Sequence, residues 1–504
     1  MVAQVIGTAA VGASGIPSGM AARALGPAQR QELSVEVLAK TEPLTRLAAE
    51  HGVSRKFLYA QGHKAQAALA EAFAVADDDQ AVLYYLPITK SWIRQFVLGL
   101  ALEGHASFRD IVQLGCDLLD YGLSVGTIFN ILQAAAEQAR VINQTQDLAG
   151  IGVGAHDEIY QADHPVLVGV DVKSTYCYLL EEAERCDETT WGVHLLDLER
   201  QGLRPDYTVA DGGAALRAGQ AAAWPQVPCH GDVFHAEREL GKVAYYLANR
   251  AAGCISARQK LEHKMERSKR RGRGNQFSKM LALVRKAELE AVALAEDVRL
   301  LADWLREDIL SLAGPDLSTR RELFDFVVQE LARREDFCPY RIGPVRRTLA
   351  GQREDLLAFA GVLEEEFAAL SEQFDVPAFL VQHLCQLQAR RTNSPAYWRQ
   401  QGPLLAKLGA KFLPLQQAVR AVMTDTARAS SIVENLNSRL RNYFFLRRDL
   451  GNGYLDLLRF FLNHHRFQRS RRAERVNKSP TELLTGRNHP HWLELLGFQP
   501  FHRQ

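Results

Sequence analysis

Three acidic residues, Asp171, Asp211 and Glu434, stand out by their surroundings. Asp171 lies in Val166-Leu-Val-Gly-Val-Asp-Val172, a continuous apolar run of the kind that forms a strand buried on both faces. A carboxylate there is costly unless something pairs with it. Asp211 follows the short strand Tyr207-Thr-Val-Ala210, which stops at Asp211-Gly212-Gly213, where two glycines leave the backbone open. Glu434 lies in Ser430 to Tyr443, a helix whose polar face carries Glu434, Asn437 and Arg441 at spacings of three and four. Three acids brought together repel one another and rise in pKa, and divalent cations reverse that penalty. An all-oxygen set suits Mg²⁺, with Mn²⁺ as the alternative. Two such ions about 3.5–4 Å apart activate an attacking oxygen and stabilise a leaving one in an in-line phosphoryl displacement. Singly, each acid has a plainer explanation as a turn former or a solvated helix residue. The weight comes from all three together.

The elements that must carry these acids follow from periodicity. From about 165 the chain reads as α/β. Thr175 to Leu180 is β-rich at hairpin distance, Thr189 opens a helix closed by Gly202 and Pro205, Ala214 to Ala223 form another, and Val227-Pro-Cys229 is a last short strand. A third core strand has no clean place and would have to be squeezed into Glu182–Glu188. From Val233 to about Val422 nothing reads as strand, and long amphipathic helices dominate, notably Gln276 to Leu312 and Glu354 to Gln373. That is too much chain for a loop, so an all-helical domain inserted into the α/β one is expected.

Residues 29–140 read as helices only. Pro43 to Tyr59 has the layout of a helix-turn-helix: a short helix, a Gly52-Val53-Ser54 turn, and a second helix capped by Ser54. Val53, Phe57 and Leu58 face a core, and Arg55, Lys56, Tyr59 and Gln61 are free to meet DNA. A second copy follows, with a helix over Ser107 to Leu119, a turn at Tyr121-Gly-Leu-Ser124, and a recognition helix over Val125 to Gln133. The first 28 residues are Gly- and Ala-rich, lack a basic n-region, and read as a disordered tail rather than a signal peptide. The domain plan is thus a tail over 1–28, a DNA-binding region over 29–140 (units at about 43–64 and 107–136), the catalytic core over 160–240 and 423–504, and the insertion over 241–422.

Composition sets the outer bounds. With 504 residues, 47% apolar and 24% charged, the chain is globular and multi-domain. No run of eighteen uncharged apolar residues follows the tail, so no membrane association is expected. Seven cysteines without CxxC pairs fit a reducing compartment. The net charge of +1 averages over local clusters. Residues 256–279 carry nine Lys or Arg, among them Lys269, Arg270, Arg271 and Arg273, against two Glu, a pattern suited to clamping phosphates. Arg466 to Lys478 has six basic residues, including Arg469, Arg471 and Arg472, against Glu474 alone. Asp232 and His235 are one helical turn apart, so the imidazole could position a phosphate or a water with the carboxylate orienting it. Cys229 and His230 lack a second pair for zinc. Walker A, GxGxxG, HExxH and GxSxG patterns are absent, which removes the support for nucleotide hydrolysis, dinucleotide binding, zincins and serine hydrolases.

The order of strand Asp, strand-end Asp and late helix Glu resembles the DDE transposases of bacterial insertion-sequence type and their RNase H-like core. Gly231-Asp-Val-Phe-His235 resembles the "C or D, two residues, H" signature of hAT- and Mutator-like transposases, filled by Asp232 and His235. The Ser430 to Tyr443 helix with Arg447 and Arg448 is similar to the third-acid helix of those enzymes. Phe460 to Phe467 and Asn477 to Gly486 look like their closing elements. The second and third acids are 223 residues apart, and several transposases of this class insert a helical domain there.

The resemblance implies a fold with an interrupted RNase H-like core preceded by helix-turn-helix units. It implies catalytic and metal-binding roles for Asp171, Asp211 and Glu434 with two Mg²⁺ ions, support from Asp232 and His235, and DNA contacts from Arg441, Arg447 and Arg448 beside the clusters above. Trp398 would stack on a flipped base, as an insertion-domain aromatic does in some relatives. The expected activity is cleavage and strand transfer at transposon ends, by a dimer or larger assembly on DNA in a bacterial cytoplasm, near the nucleoid. The rivals are an inactive transposase kept as a DNA-binding protein, which shows no Mg²⁺-dependent nicking, and a nuclease of the same superfamily, which joins no ends.

Overall fold

The computed structural model describes residues 22, 24–73, 82–273, 277–428, 430–447 and 451–501. They form two compact units, one ending at Pro87 and the other starting at Ile88. The first holds three helices, α1 (Pro27–Ala39), α2 (Leu44–Glu50) and α3 (Arg55–Ala72). Gly52 takes φ 62° in the turn between α2 and α3, a conformation glycine adopts without a Cβ penalty. The Ser54 hydroxyl then caps α3 by accepting from the Phe57 N–H at 3.1 Å. Leu33, Leu47, Val53 and Leu58 form the small core. Most of the expected 1–28 tail lies outside the described residues, but its end is ordered: Pro27 opens α1, where its missing N–H costs nothing.

The second unit is mostly helical around a small mixed sheet. Helices α4 (Lys90–Leu102), α5 (Phe108–Leu119) and α6 (Val125–Thr145) open it. The expected second recognition helix is the start of α6, but α6 runs on to Thr145. Its buried face, Ile128, Leu132, Ala135, Ala136 and Ala139, joins one apolar cluster with Leu455, Leu457 and Leu458 near the C-terminus. The helices of 90–140 therefore belong with the sheet unit rather than with the N-terminal region.

Five strands follow: β1 (Val153–Gln161), β2 (His164–Asp171), β3 (Cys177–Glu182), β4 (Tyr207–Ala210) and β5 (Cys229–Gly231). Their order is β3-β2-β1-β4-β5. β1 and β2 are antiparallel, as are β2 and β3, whereas β1, β4 and β5 run parallel. The strand that the sequence left unplaced is β1, which precedes the expected start of the core and sits at the sheet centre. Between β3 and β5 lie α7 (Glu188–Arg200) and α8 (Ala214–Ala223).

One face of the sheet packs Leu167, Tyr178 and Leu179 against Trp191 and Leu195, and the other packs Ala155, Ile159 and Val168 against Val433, Leu436 and Leu440. Tyr178 lies across Gly154 and Gly169, where a Cβ would collide with its hydroxyl and its ring respectively, and the hydroxyl reaches His156 Nε2 at 2.9 Å.

The insertion comprises α9 (Val233–Arg270), α10 (Ser278–Trp304), a π-helical turn at Leu305–Ile309, α11 (Leu317–Arg334), α12 (Pro339–Gly351), α13 (Arg353–Phe374), α14 (Ala378–Gln388), α15 (Pro395–Leu408) and α16 (Phe412–Asp425). It starts eight residues earlier than the expected 241, because Asp232 is already the N-cap of α9. Its core runs from Val233 to Val419. The α13 backbone packs on the β5 edge at Gly231, where a Cβ would sit 3.1 Å from the Leu356 nitrogen.

The chain closes with α17 (Ser431–Leu446), α18 (Gly451–His464), α19 (Pro480–Thr485) and α20 (Trp492–Leu495). α18 covers the other edge. Asn463 donates to the Cys177 carbonyl at 2.8 Å and accepts from its N–H at 2.7 Å, and Asn452 accepts from the Glu182 N–H at 2.8 Å. Eleven residues of helix and five of strand each span about 16.5 Å, so the two asparagines meet the two ends of β3. No described helix is long and apolar enough to cross a membrane.

Candidate active site

The parallel pairing of β1 with β4 sets His156 opposite Ala210, so the next residues, Asp157 in the middle of β1 and Asp211 just past the end of β4, come side by side. The chain continues from β1 to β2 on one side and from β4 to β5 on the other. That makes the β1/β4 boundary a topological switch point, where open α/β sheets gather their ligands. Glu434 comes to the same place from the first turn of α17. Asn437, one turn later and 1% exposed, donates from Nδ2 to Asp157 Oδ2 at 2.7 Å and so keys α17 to β1. Burial pushes the Asp157 carboxyl up to about 7, with Asp211, Glu434 and Glu158 adding like charge against a hydrogen bond from the Glu158 N–H. Glu158 is raised by burial and by Asp211, and its Oε2 is buried without a hydrogen-bond partner among the described residues.

A second group of side chains reaches the site from the start of the insertion. Asp232 caps α9, accepting from the Phe234 N–H at 2.8 Å. Its other oxygen takes His235 Nδ1 at 2.9 Å and the Ser430 hydroxyl. His235 Nε2 then stands 3.8 Å from Glu434 Oε1, and Arg238 Nη1 stands 3.4 Å from the same oxygen. Burial alone would raise Asp232, but the hydrogen bonds from His235 and Ser430 outweigh it and hold the carboxyl below its usual range. The hydrogen bond to Asp232 raises His235, against burial, and so favours its cationic form. The residues read from the sequence as a supporting pair thus stand together, with His235 facing Glu434.

Asp171 is elsewhere. It pairs with Gly154, three residues before Asp157 on β1, hence about 10 Å toward the opposite end. Alternation also points it to the other face of the sheet. Its carboxylate accepts from the Ser174 N–H at 2.7 Å and from the Ser174 hydroxyl, so it shapes the β2–β3 turn. The acid that meets Asp211 and Glu434 is Asp157, which the sequence reading missed. The available signal was two adjacent acids, Asp157-Glu158, ahead of the apolar run.

Among the described residues, no group of three or more His, Cys, Asp or Glu side chains forms a ready metal cage. The donor chemistry nevertheless fits a hard divalent cation: Asp157, Asp211 and Glu434 supply oxygens only, and a cation there would offset the burial and like charge that raise Asp157.

No family model matches the chain, and no curated protein does. One solved structure to which the chain is similar is the Drosophila P element transposase strand transfer complex, at 12% identity and a TM-score of 0.23, over 84% of this chain and 96% of that one. That likeness is too slight to carry fold or function.

The residues expected at DNA divide. Arg55, Lys56 and Tyr59 are exposed at the start of α3 in the first unit. Lys269, Arg270, Arg271 and Arg273 are exposed where α9 ends, at the tip of a long antiparallel pair with α10. Arg441, Arg469 and Arg471 are exposed and Arg472 half-exposed. Arg447 is not free: its guanidinium lies between the rings of Tyr454 and Phe108, at 4.5 and 5.1 Å. Arg448 lies outside the described residues. Trp398 is 62% exposed on α15, with its ring edge-on to Tyr397 at 5.5 Å.

Proposed function

We propose that this chain is a DNA transposase that cuts and joins DNA with Asp157, Asp211 and Glu434 on an RNase H-like core. The observation that carries the reading is the convergence of these three acids at the β1/β4 boundary, one from the middle of β1, one from the end of β4 and one from a helix 223 residues after Asp211 in the chain. The mixed five-stranded sheet and the large helical insertion between the second and third acids support it. Asp157, Asp211 and Glu434 would hold Mg²⁺, which supplies activation of the attacking oxygen and charge relief at the leaving one.

The chain's own groups do the positioning. Asn437 fixes one oxygen of Asp157. His235, held by Asp232 and Ser430, sets Glu434 and offers a proton donor at Nε2 to a non-bridging or leaving oxygen. The helices of the first unit, presenting Arg55, Lys56 and Tyr59, would recognise transposon ends as a helix-turn-helix. The basic α9 tip would grip the backbone. Two ends must be held together, which calls for a dimer or larger assembly.

The test is Mg²⁺-dependent nicking of end-containing DNA. Asp157→Asn, Asp211→Asn and Glu434→Gln should each drop to background while still binding DNA, and Asp171→Asn should stay within a few-fold of the parent. Activity surviving in Asp157→Asn sinks the assignment. Supplying labelled 3′-OH ends with a plasmid target separates a transposase, which joins them, from a nuclease, which does not.

A further inference from the structure

A different face of α17 from the one that carries Glu434 and Asn437 closes a cavity of about 240 Å³ against β2, β3 and the 467–480 segment. Arg439 and Arg475 both line it, together with Thr175, Ser431 and Asn435, and no acidic side chain among the described residues does. Two half-buried guanidiniums sharing one cavity would ordinarily be paired with carboxylates, because burying unpaired charge is costly. Arg439 makes no hydrogen bond or ion pair among the described residues, and Arg475 donates only to the Lys173 carbonyl, at 2.9 Å. Burial lowers the pKa of each.

The other charges facing Arg475 are Arg472, Glu474 and Asp171, and the Asp171 carboxylate is already taken by Ser174. Thr175 adds an independent sign. Its hydroxyl is buried with no partner among the described residues, and its backbone sits at φ 65°, a left-handed conformation that a β-branched residue rarely adopts. Strain, two unpaired cations and an unpaired hydroxyl converge on one small space.

We propose that this cavity is an oxyanion site that takes a phosphate group between the Arg439 and Arg475 guanidiniums, with the Thr175 hydroxyl as a further donor. Guanidinium forks match the geometry of phosphate oxygens, and charge-assisted bonds of this kind are the strong ones. The phosphate is either a phosphodiester of bound DNA or phosphate free in solution. The first source rests on the transposase reading, and the second does not.

The test uses the full chain in excess chelator, so that no cleavage intervenes. Inorganic phosphate is titrated calorimetrically at fixed ionic strength. The parent should show saturable binding, weakened about tenfold or more in Arg439→Gln and in Arg475→Gln. Arg439→Lys, which keeps the charge and loses the fork, should fall between. Because Arg439→Gln removes an unpaired buried cation, its ligand-free melting temperature should equal or exceed that of the parent. A lower one, with phosphate binding unchanged, would mark a structural arginine and overturn the proposal.

Duplex binding by anisotropy then separates the sources. A backbone phosphate predicts competition by inorganic phosphate and a salt slope reduced by about one in Arg439→Gln. Free phosphate predicts unchanged DNA binding alongside the calorimetric loss. If the parent shows no saturable phosphate binding and Arg439→Gln leaves the slope intact, there is no such site. Asp211→Asn should bind phosphate normally, which keeps the two readings separable.

Discussion

Asp157 shows what burial among like charges does to one residue. Asparagine in its place keeps the shape and the contact with Asn437 but removes a charge that the folded chain disfavours. In chelator at pH 8, Asp157→Asn should therefore be more stable than the parent by about 1–2 kcal/mol, and with Mg²⁺ restored it should lack the proposed nicking activity. Urea unfolding in chelator measures the first part, and equal or lower stability counts against the crowding.

His464 gives the corresponding pH signature. Burial lowers it to about 4, and its Nδ1 lies 2.8 Å from the Phe460 carbonyl. Its unfolded-state value near 6.5 lies above that, so the unfolded chain binds the proton first. The stability tied to this residue is full above about pH 6.5 and is lost as pH falls toward 4. The stability difference between parent and His464→Gln should shrink by about 2 kcal/mol between pH 7.5 and pH 5. A difference independent of pH would show that the imidazole is solvated.

At this scale the sequence was readable in part. Asp211, Glu434, Asp232 and His235 stand together as read, since each closes a recognisable strand end, helix face or cap. Asp157 was hidden because His156-Asp157-Glu158 breaks both alternation and apolar continuity. Only pairing on both sides explains why such a stretch is the central strand.

Among elements, those with strong local punctuation were legible. Tyr207–Ala210 and Ala214–Ala223 have the bounds that the Gly212-Gly213 pair dictates, and the strand-free stretch after Val233 is the insertion. The pairing partners of each edge were not legible, since they depend on residues hundreds of positions away. Asn463→Ala would leave both main-chain groups of Cys177 unpaired in a buried setting and should cost about 2–4 kcal/mol, read from urea unfolding. A cost under 1 kcal/mol would mean that water replaces the side chain. Gly219 makes a similar point for α7 and α8: an added Cβ would stand 2.6 Å from the Glu188 carbonyl oxygen, so Gly219→Ala should cost about 1–3 kcal/mol.

For the whole molecule, the division at Pro87/Ile88 separates a unit with four fully buried apolar residues from one with three large clusters. A 24–73 fragment alone should melt weakly, and an 82–504 fragment should keep the main cooperative transition of the full chain. Calorimetry of the two decides it, and loss of the main transition from the larger fragment would mean that the units fold as one. At the α9 tip, neutralising Lys269, Arg270, Arg271 and Arg273 together should weaken DNA binding evenly across sequences and lower the salt slope by up to about four. A change confined to one sequence would instead mark base reading.

The two ends of the sheet have one more consequence. Asn452 and Asn463 of a helix occupy the hydrogen-bonding groups of β3, and the backbone of α13 lies against β5, so neither border offers a free ladder to another polypeptide. Copies crowded side by side in concentrated solution thus have no route into fibrous stacking through the described strands. Replacing both asparagines with valine should restore that route and make concentrated protein seed thioflavin-positive polymers.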